Sequence, residues 1–269
     1  MNIVTDVRKW RDLRRTLAGG VGFVPTMGHL HEGHASLCAR ARRENDVVAA
    51  SIFVNPTQFN QPADFEQYQR TLKEDCGLLE KLGVDYVFAP SKEDMYPDGY
   101  EVQVSEIALS RELEGEFRPG HFTGMLTVVL KLLNLTQADR AYFGEKDFQQ
   151  LMLVKKMAEA LFLPVEIVAC ETVRAVSGLA LSSRNARLDE KQRRKATLLS
   201  QLLMSDLSDE CVKKQLEQDG FKVEYVSTKW GRRLAAAWLD KVRLIDNVPV
   251  PACAGTAKSK KEEKNAAMP

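Results

Sequence analysis

The stretch Val24-Pro25-Thr26-Met27-Gly28-His29-Leu30-His31-Glu32-Gly33-His34 constrains this chain more than any other. An apolar run at 21–24 precedes it and reads as a short buried strand, which Pro25 ends because proline has no N–H for a sheet ladder. Gly28 and Gly33 admit backbone conformations that side chains forbid. Residues 35–41 read as helix. A strand, a glycine-bearing loop and a helix in succession place loop N–H groups and a helix N-terminus where an anion can sit. Three of the chain's four histidines lie here: His29, His31 and His34. His31 and His34 are three apart and share a face of a helical first turn. Two imidazoles beside a helix N-terminus can donate hydrogen bonds to phosphate and stabilise charge that builds up in phosphoryl or nucleotidyl transfer. Two plainer readings compete. One is a polar loop with chance histidines. The other is a metal site, for which no cysteine or carboxylate pair at ligand spacing completes the set.

The rest of the chain reads as α/β. Residues 5–18 form a charged amphipathic helix ended by Gly19-Gly20. The run 47–54 is almost wholly apolar, as expected of a parallel strand covered on both faces. Residues 64–82 read as one helix with Asp64 as N-cap and Gly83 as stop. Strands are expected at 84–89, 138–143 and 165–170, and helices at 125–135 and from about 148 to 161. From about 186 the character changes to helices at 189–204 and 209–219, rich in Lys, Arg, Gln and Glu, with short strands at 221–226 and 234–239. A net charge of +1 gives no reason to expect a nucleic acid or membrane surface as partner. Five scattered cysteines without Cys-x-x-Cys spacing suit a reduced, cytoplasmic protein.

Loops leaving the C-terminal ends of parallel strands are where open α/β sheets bind ligands. Gln58 sits in such a loop and can both donate and accept, which suits a substrate carrying hydroxyl and carboxylate groups; a solvated loop amide is the equal alternative. Arg118 and His121 lie just ahead of the helix expected at 125–135, suited to closing over an acidic substrate or to ordinary capping. Lys146, after a glycine between strand and helix, is a compact cation able to meet phosphate oxygens, though Glu145, Lys146 and Asp147 equally describe a solvated helix start. Ser182, Ser183 and Arg184 put two hydroxyls beside a bidentate fork, a phosphate grip that is nonspecific as a motif.

His31-Glu32-Gly33-His34 resembles the His-x-Gly-His signature of the nucleotidyltransferase superfamily, and the longer run from Pro25 is more specifically similar to the pantothenate synthetase family. Five further strings agree in order: Phe53-Val54-Asn55-Pro56-x-Gln58-Phe59, Tyr68-Gln69-Arg70-Thr71-x-x-x-Asp75, Arg118-Pro119-Gly120-His121-Phe122-x-Gly124, Gly144-Glu145-Lys146-Asp147-x-Gln149-Gln150 and Arg243-Leu244-Ile245-Asp246-Asn247. Gln69 departs from the family's usual proline, and Ser177 from its usual acidic residue.

The resemblance implies a Rossmann-like parallel sheet with helices on both faces, of the nucleotidyltransferase type, over residues 1–185. A small α+β C-terminal lid domain follows at 186–250, shorter than is usual in the family, and the tail 251–269 is expected to be disordered. It implies ATP-dependent condensation of pantoate with β-alanine through a pantoyl adenylate, with Mg²⁺ accompanying ATP and no metal ligands assigned. It also implies a homodimer. ATP contacts are implied at Met27, Gly28, His29, Leu30, His31, Glu32, Gly33, His34, Gly144, Glu145, Lys146, Asp147, Val173, Leu181, Ser182, Ser183 and Arg184, and pantoate or β-alanine contacts at Gln58 and Gln150. Transition-state stabilisation falls to His34 first, then His31, Lys146, Ser182, Ser183 and Arg184. Asp75 is read as an exposed helix carboxylate, with a water-mediated role toward magnesium as the alternative. Another nucleotidyltransferase of the same fold, and a non-catalytic ATP- or pantoate-binding protein, remain as alternatives.

Overall fold

Buried positions come in adjacent pairs along the strands of residues 1–170, and those pairs account for the architecture there. Phe23 and Val24, Ala49 and Ala50, Phe88 and Val87, and Ala141 and Tyr142 are each buried, one of each pair in one apolar cluster and its neighbour in another. A strand's side chains alternate between faces, so these strands are covered on both sides. The computed structural model, which describes residues 1–60 and 65–250, shows how. β1 (Asn2–Val4), β2 (Val21–Thr26), β3 (Val47–Ile52), β4 (Tyr86–Phe88), β5 (Arg140–Gly144) and β6 (Glu166–Cys170) form an all-parallel sheet in the order β1-β4-β3-β2-β5-β6. Helices α1 (Val7–Thr16), α4 (His121–Thr136) and α5 (Phe148–Ala160) cover one face, and α2 (Glu32–Glu44) and α3 (Leu72–Lys81) the other.

The chain winds outward from β2 to β3 and β4, then returns to the far side of β2 as β5 and β6. β2 and β5 therefore flank the topological switch point, where open sheets of this kind leave a crevice. They pair only at Gly22–Arg140 and Phe23–Ala141, then part. That parting explains why Pro25 does not end β2 as the sequence suggests. Thr26 O accepts from Phe53 N and Val21 O from Asp139 N, so even-numbered residues of β2 address β3 and odd-numbered ones address β5. The N–H missing at Pro25 falls on the β5 side, beyond the last paired residue, and the ladder to β3 continues through Thr26.

Two further expectations are corrected. The helix expected over 64–82 is regular only in α3; Tyr68, Gln69 and Arg70 are not helical, and the expected cap Asp64 lies outside the described residues. His121 is the first residue of α4, not a residue ahead of it, with Gly120 before it in the left-handed region at φ 80°. The Arg-Leu-Ile-Asp-Asn string lies within a full strand, β9 (Val242–Pro249), which pairs with β8 (Arg232–Leu239), itself paired with β7 (Lys222–Lys229) in an antiparallel sheet. Helices α6 (Glu190–Leu203) and α7 (Asp209–Gln218) pack on this sheet through Leu199, Leu203, Val212 and Leu216, against Ala235, Ala237 and Leu244. The tail 251–269, with Cys253, lies outside the described residues. Cys38, Cys76, Cys170 and Cys211 carry free thiols. Among the described residues no helix is long and apolar enough to cross a membrane.

Candidate active site

The loop after β2 turns on two left-handed residues, Gly28 (φ 78°) and His29 (φ 50°). A Cβ at Gly28 would stand 2.9 Å from Asp75 Oδ2 and 3.2 Å from Ile52 Cγ2, so glycine is required there on both counts. Asp75, which the sequence reading places on an exposed helix face, is only 4% exposed. Its Oδ2 accepts from His29 N at 2.9 Å and from Thr71 Oγ1 at 3.0 Å, and its Oδ1 accepts from Leu30 N at 2.8 Å. The carboxylate satisfies two successive loop N–H groups that point away from any strand. Asp75→Ala leaves those partly buried donors unpartnered, and we expect a loss of about 1–3 kcal/mol of stability, read as a lower urea midpoint at unchanged m-value.

The chain then enters α2 with His31 as its N-cap. His31 Nδ1 accepts from Gly33 N at 3.1 Å, and His34 Nδ1 accepts from His31 N at 3.4 Å, a reciprocal capping box built from two imidazoles. A Cβ at Gly33 would lie 2.8 Å from the His31 ring, so this glycine makes room for the cap. With both Nδ1 atoms accepting, each ring carries its proton on Nε2 when neutral. Both rings are held neutral. Burial first, then repulsion from His34 and Lys146, lowers His31 to about 3. Burial lowers His34 to about 4, with Asp147 opposing and Lys146 assisting. The histidines therefore act as neutral donors and the positive charge comes from elsewhere. Burial and the neighbouring Arg118 guanidinium lower His121 to about 3 as well. The ring-proton NMR signals of His31, His34 and His121 are expected to stay fixed from pH 8 to about 5. Because an unfolded chain takes up these protons near pH 6.5, the part of the stability that rests on them is present above 6.5 and is lost as pH falls toward about 3.

These rings line a cleft of about 420 Å³ at the β2–β5 switch point. Met27, His29, His31, Gly33 and His34 line it from the loop after β2, Gln58 from that after β3, and Gly144, Lys146, Asp147 and Gln150 from β5 and its exit. Val173, Leu181, Ser182, Ser183 and Arg184 close it from the segment after β6. Gly28, Leu30, Glu32 and Glu145 do not line it. Leu30 packs into the core, Glu32 points outward on the first turn of α2, and Glu145 is paired with Arg232 at 3.1 Å. Lys146 Nζ has no hydrogen bond or ion pair among the described residues. The two adjacent glutamines divide the labour: Gln150 lines the cleft, while buried Gln149 donates to Leu109 O and Glu112 O and accepts from Glu114 N.

The turn carrying Gln58 is held from behind. Asn55 Nδ2 donates to Gln58 Oε1 at 3.1 Å, and Tyr96 Oη donates to Asn55 Oδ1 at 2.7 Å. Gln58 O faces His121 Nδ1 at 2.8 Å and Arg118 Nη2 at 3.4 Å. Gly124 allows α4 to approach, since a Cβ there would stand 2.3 Å from Thr57 O. Arg118 and His121 also line the cleft, which their place on a capping segment left open. Burial, and secondarily Arg184, lowers the Arg118 guanidinium to about 10. Tyr68 is a lining residue the sequence reading does not single out; its hydroxyl donates to Gly28 O at 3.3 Å. Its only signal in the sequence is membership of the Tyr-Gln-Arg-Thr string.

Chemically, the cleft combines neutral imidazole donors at a helix N-terminus, a lysine, three arginines, two serines and four glutamine amides. That is an arrangement for holding a polyphosphate and a hydroxy acid together. The family model described as Pantoate-beta-alanine ligase matches residues 1–249. A pantothenate synthetase of Coxiella burnetii is 48% identical over 248 residues, covering 92% of this chain and 96% of that protein. One from Legionella pneumophila is 47% identical over 249 residues, covering 92% and 99%. The crystal structure of pantoate-beta-alanine ligase from Francisella tularensis, complexed with beta-gamma ATP and beta-alanine, superposes with a TM-score of 0.88 at 43% identity, covering 93% of this chain and 97% of that one. Pantothenate synthetase from Thermus thermophilus superposes at 0.85 with 42% identity, covering 93% and 99%. The chain is matched over nearly the full length of each of these relatives.

Proposed function

This chain belongs to the pantoate-beta-alanine ligase family, and we propose that it condenses pantoate with β-alanine at the expense of ATP through a pantoyl adenylate. The observation that carries the reading is the cleft that brings His31, His34, Lys146, Arg184, Gln58 and Gln150 to one space. In the first step the pantoate carboxylate forms a bond to the α-phosphorus and pyrophosphate leaves. In the second the β-alanine amine forms the amide, AMP leaves, and the amine gives up a proton. Gln58 and Gln150 orient pantoate so that its carboxylate lies in line, a proximity effect. The Nε2–H donors of His31 and His34, with Lys146, Ser182, Ser183 and Arg184, stabilise the charge that grows on the phosphate oxygens.

Mg²⁺ would enter with the nucleotide. The carboxylates lining the cleft are those of Asp147 and Glu171, and no group of three ligating side chains occurs among the described residues. Such a donor set suits an ion held mainly by phosphate and water, with Asp147 as its protein contact. Bound there, the ion neutralises phosphate charge. Residues 1–185 serve as the binding and catalytic part and 186–250 as the cover that excludes water from the adenylate. A cytoplasmic homodimer completes the reading.

The test is AMP release from ATP with pantoate, with and without β-alanine. AMP formed only when both are present supports the ligase. Pyrophosphate exchange with pantoate alone assigns the adenylate step. ATP binding with no AMP under either condition overturns the proposal in favour of a binding protein.

A further inference from the structure

Two consecutive residues of β9 reach across to segments that leave the parallel sheet, and each grips one that lines the cleft. Asp246 is 3% exposed at its side chain and makes a bidentate pair with Arg174, at 2.6 and 2.9 Å, at the start of the segment that leads to Ser182. Asn247 is 2% exposed, and its Nδ2 donates to Glu145 O at 3.0 Å and to Lys146 O at 2.9 Å. The amide cannot turn over. Its Oδ1 accepts from Arg232 Nε, and Arg232 is itself fixed by Glu145 at 3.1 Å and by stacking on the Phe148 ring at 4.8 Å. A flipped amide would set its oxygen against two carbonyls and its N–H₂ against a guanidinium.

Lys146 has only its backbone to place it. The turn Glu145–Asp147 has no side-chain cap, and the ammonium has no partner among the described residues. A four-carbon stem on an unfixed turn samples many positions, and a displacement of 1 Å at a catalytic group can cost about 10²-fold in rate. We infer that Asn247 is a positioning residue for Lys146: from the C-terminal sheet it pins the two carbonyls of the lysine's turn and so sets where the ammonium meets the nucleotide phosphates. The inference rests on the ligase reading for the identity of the nucleotide.

A double-mutant cycle in the full chain tests it: wild type, Asn247→Ala, Lys146→Ala and both together. It is read in kcat and KM for each substrate and in affinity for a non-hydrolysable ATP analogue. Asn247→Ala is expected to lower kcat about 10-fold or more with KM for pantoate unchanged, and to weaken the analogue. In the Lys146→Ala background the same change is expected to add less than about twofold to either quantity, because residues acting through one group are non-additive. Equal losses in both backgrounds, or a kcat for Asn247→Ala within twofold of wild type, would overturn the assignment and leave Asn247 a fold contact. If Asn247→Ala does not fold, Asn247→Asp keeps the shape, removes the two donors and is carried through the same cycle with the same criteria. Wild type that binds the analogue but releases no AMP overturns the ligase reading instead, and the binding cycle alone then decides the role of Asn247.

Discussion

Replacing His34 with alanine is expected to lower AMP release by about 10²–10³-fold, with KM for pantoate little changed, since the loss is of one preorganised donor that matters most as charge develops. The size of the effect follows from how the ring is held. Its Nδ1 is engaged by the His31 N–H, so Nε2–H alone is left to face a substrate. Burial keeps it neutral, near pKa 4, so at neutral pH the donor is present in essentially every molecule and needs no protonation step. Steady-state kinetics from pH 5 to 8 should therefore show no dependence of kcat assignable to this group. His34→Gln, which restores an N–H donor on a different stem, is expected to recover part of the loss. Turnover by His34→Ala within threefold of wild type would remove His34 from the catalytic set.

The second large effect lies away from the phosphates. Arg243 joins the two halves: its guanidinium donates to Glu114 at 2.8 and 2.7 Å and to Glu224 at 2.9 and 2.6 Å. Tyr225 Oη donates to the same Glu114 at 2.9 Å, and Arg118 approaches it at 3.5 Å. A register shift in β7 between Val223 and Tyr225 accompanies this reach, as bulges re-aim side chains. Burial alone would raise the Glu114 carboxyl, but Arg243, with help from Arg118 and Tyr225, holds it at about 2. Arg243→Met removes the main counter-charge and leaves two carboxylates in a desolvated space. We expect a loss of about 3–5 kcal/mol in urea unfolding at pH 7, the range for one partner removed from a buried pair. The sign with pH is definite. The folded Glu114 pKa lies below its ordinary 4.5, so its contribution is fully present above 4.5 and fades as pH falls toward 2. The variant should therefore lose most against wild type near neutrality and less in acid. A constant difference across that range would count against the network.

What is legible in the chain divides along physical lines. Local pattern carries the parallel strands, since apolar pairs covered on both faces are visible in 21–24 and 47–54 without any partner. It carries the strand–loop–helix entry to α2 and the strings that line the cleft. It misreads Asp75, because a carboxylate at a helical position looks solvated until the His29–Leu30 turn is seen to fold back onto it from 45 residues away. It misreads Pro25, because whether a missing N–H matters depends on which neighbouring strand is still there to receive it.

The alternation of strands and helices and the glycines at forced turns belong to the sequence, because they are properties of near neighbours along the chain. Three things arise only on packing. The histidines become neutral, through burial and the capping box. Arg243, Asp246 and Asn247 turn from the end of a C-terminal string into contacts that reach Glu114, Arg174 and the Lys146 turn. One expected long helix gives way to a bend that brings Tyr68 to Gly28. Charge state, desolvation and long-range hydrogen bonding depend on which distant groups share a volume, and that is a property of the packed molecule rather than of any segment.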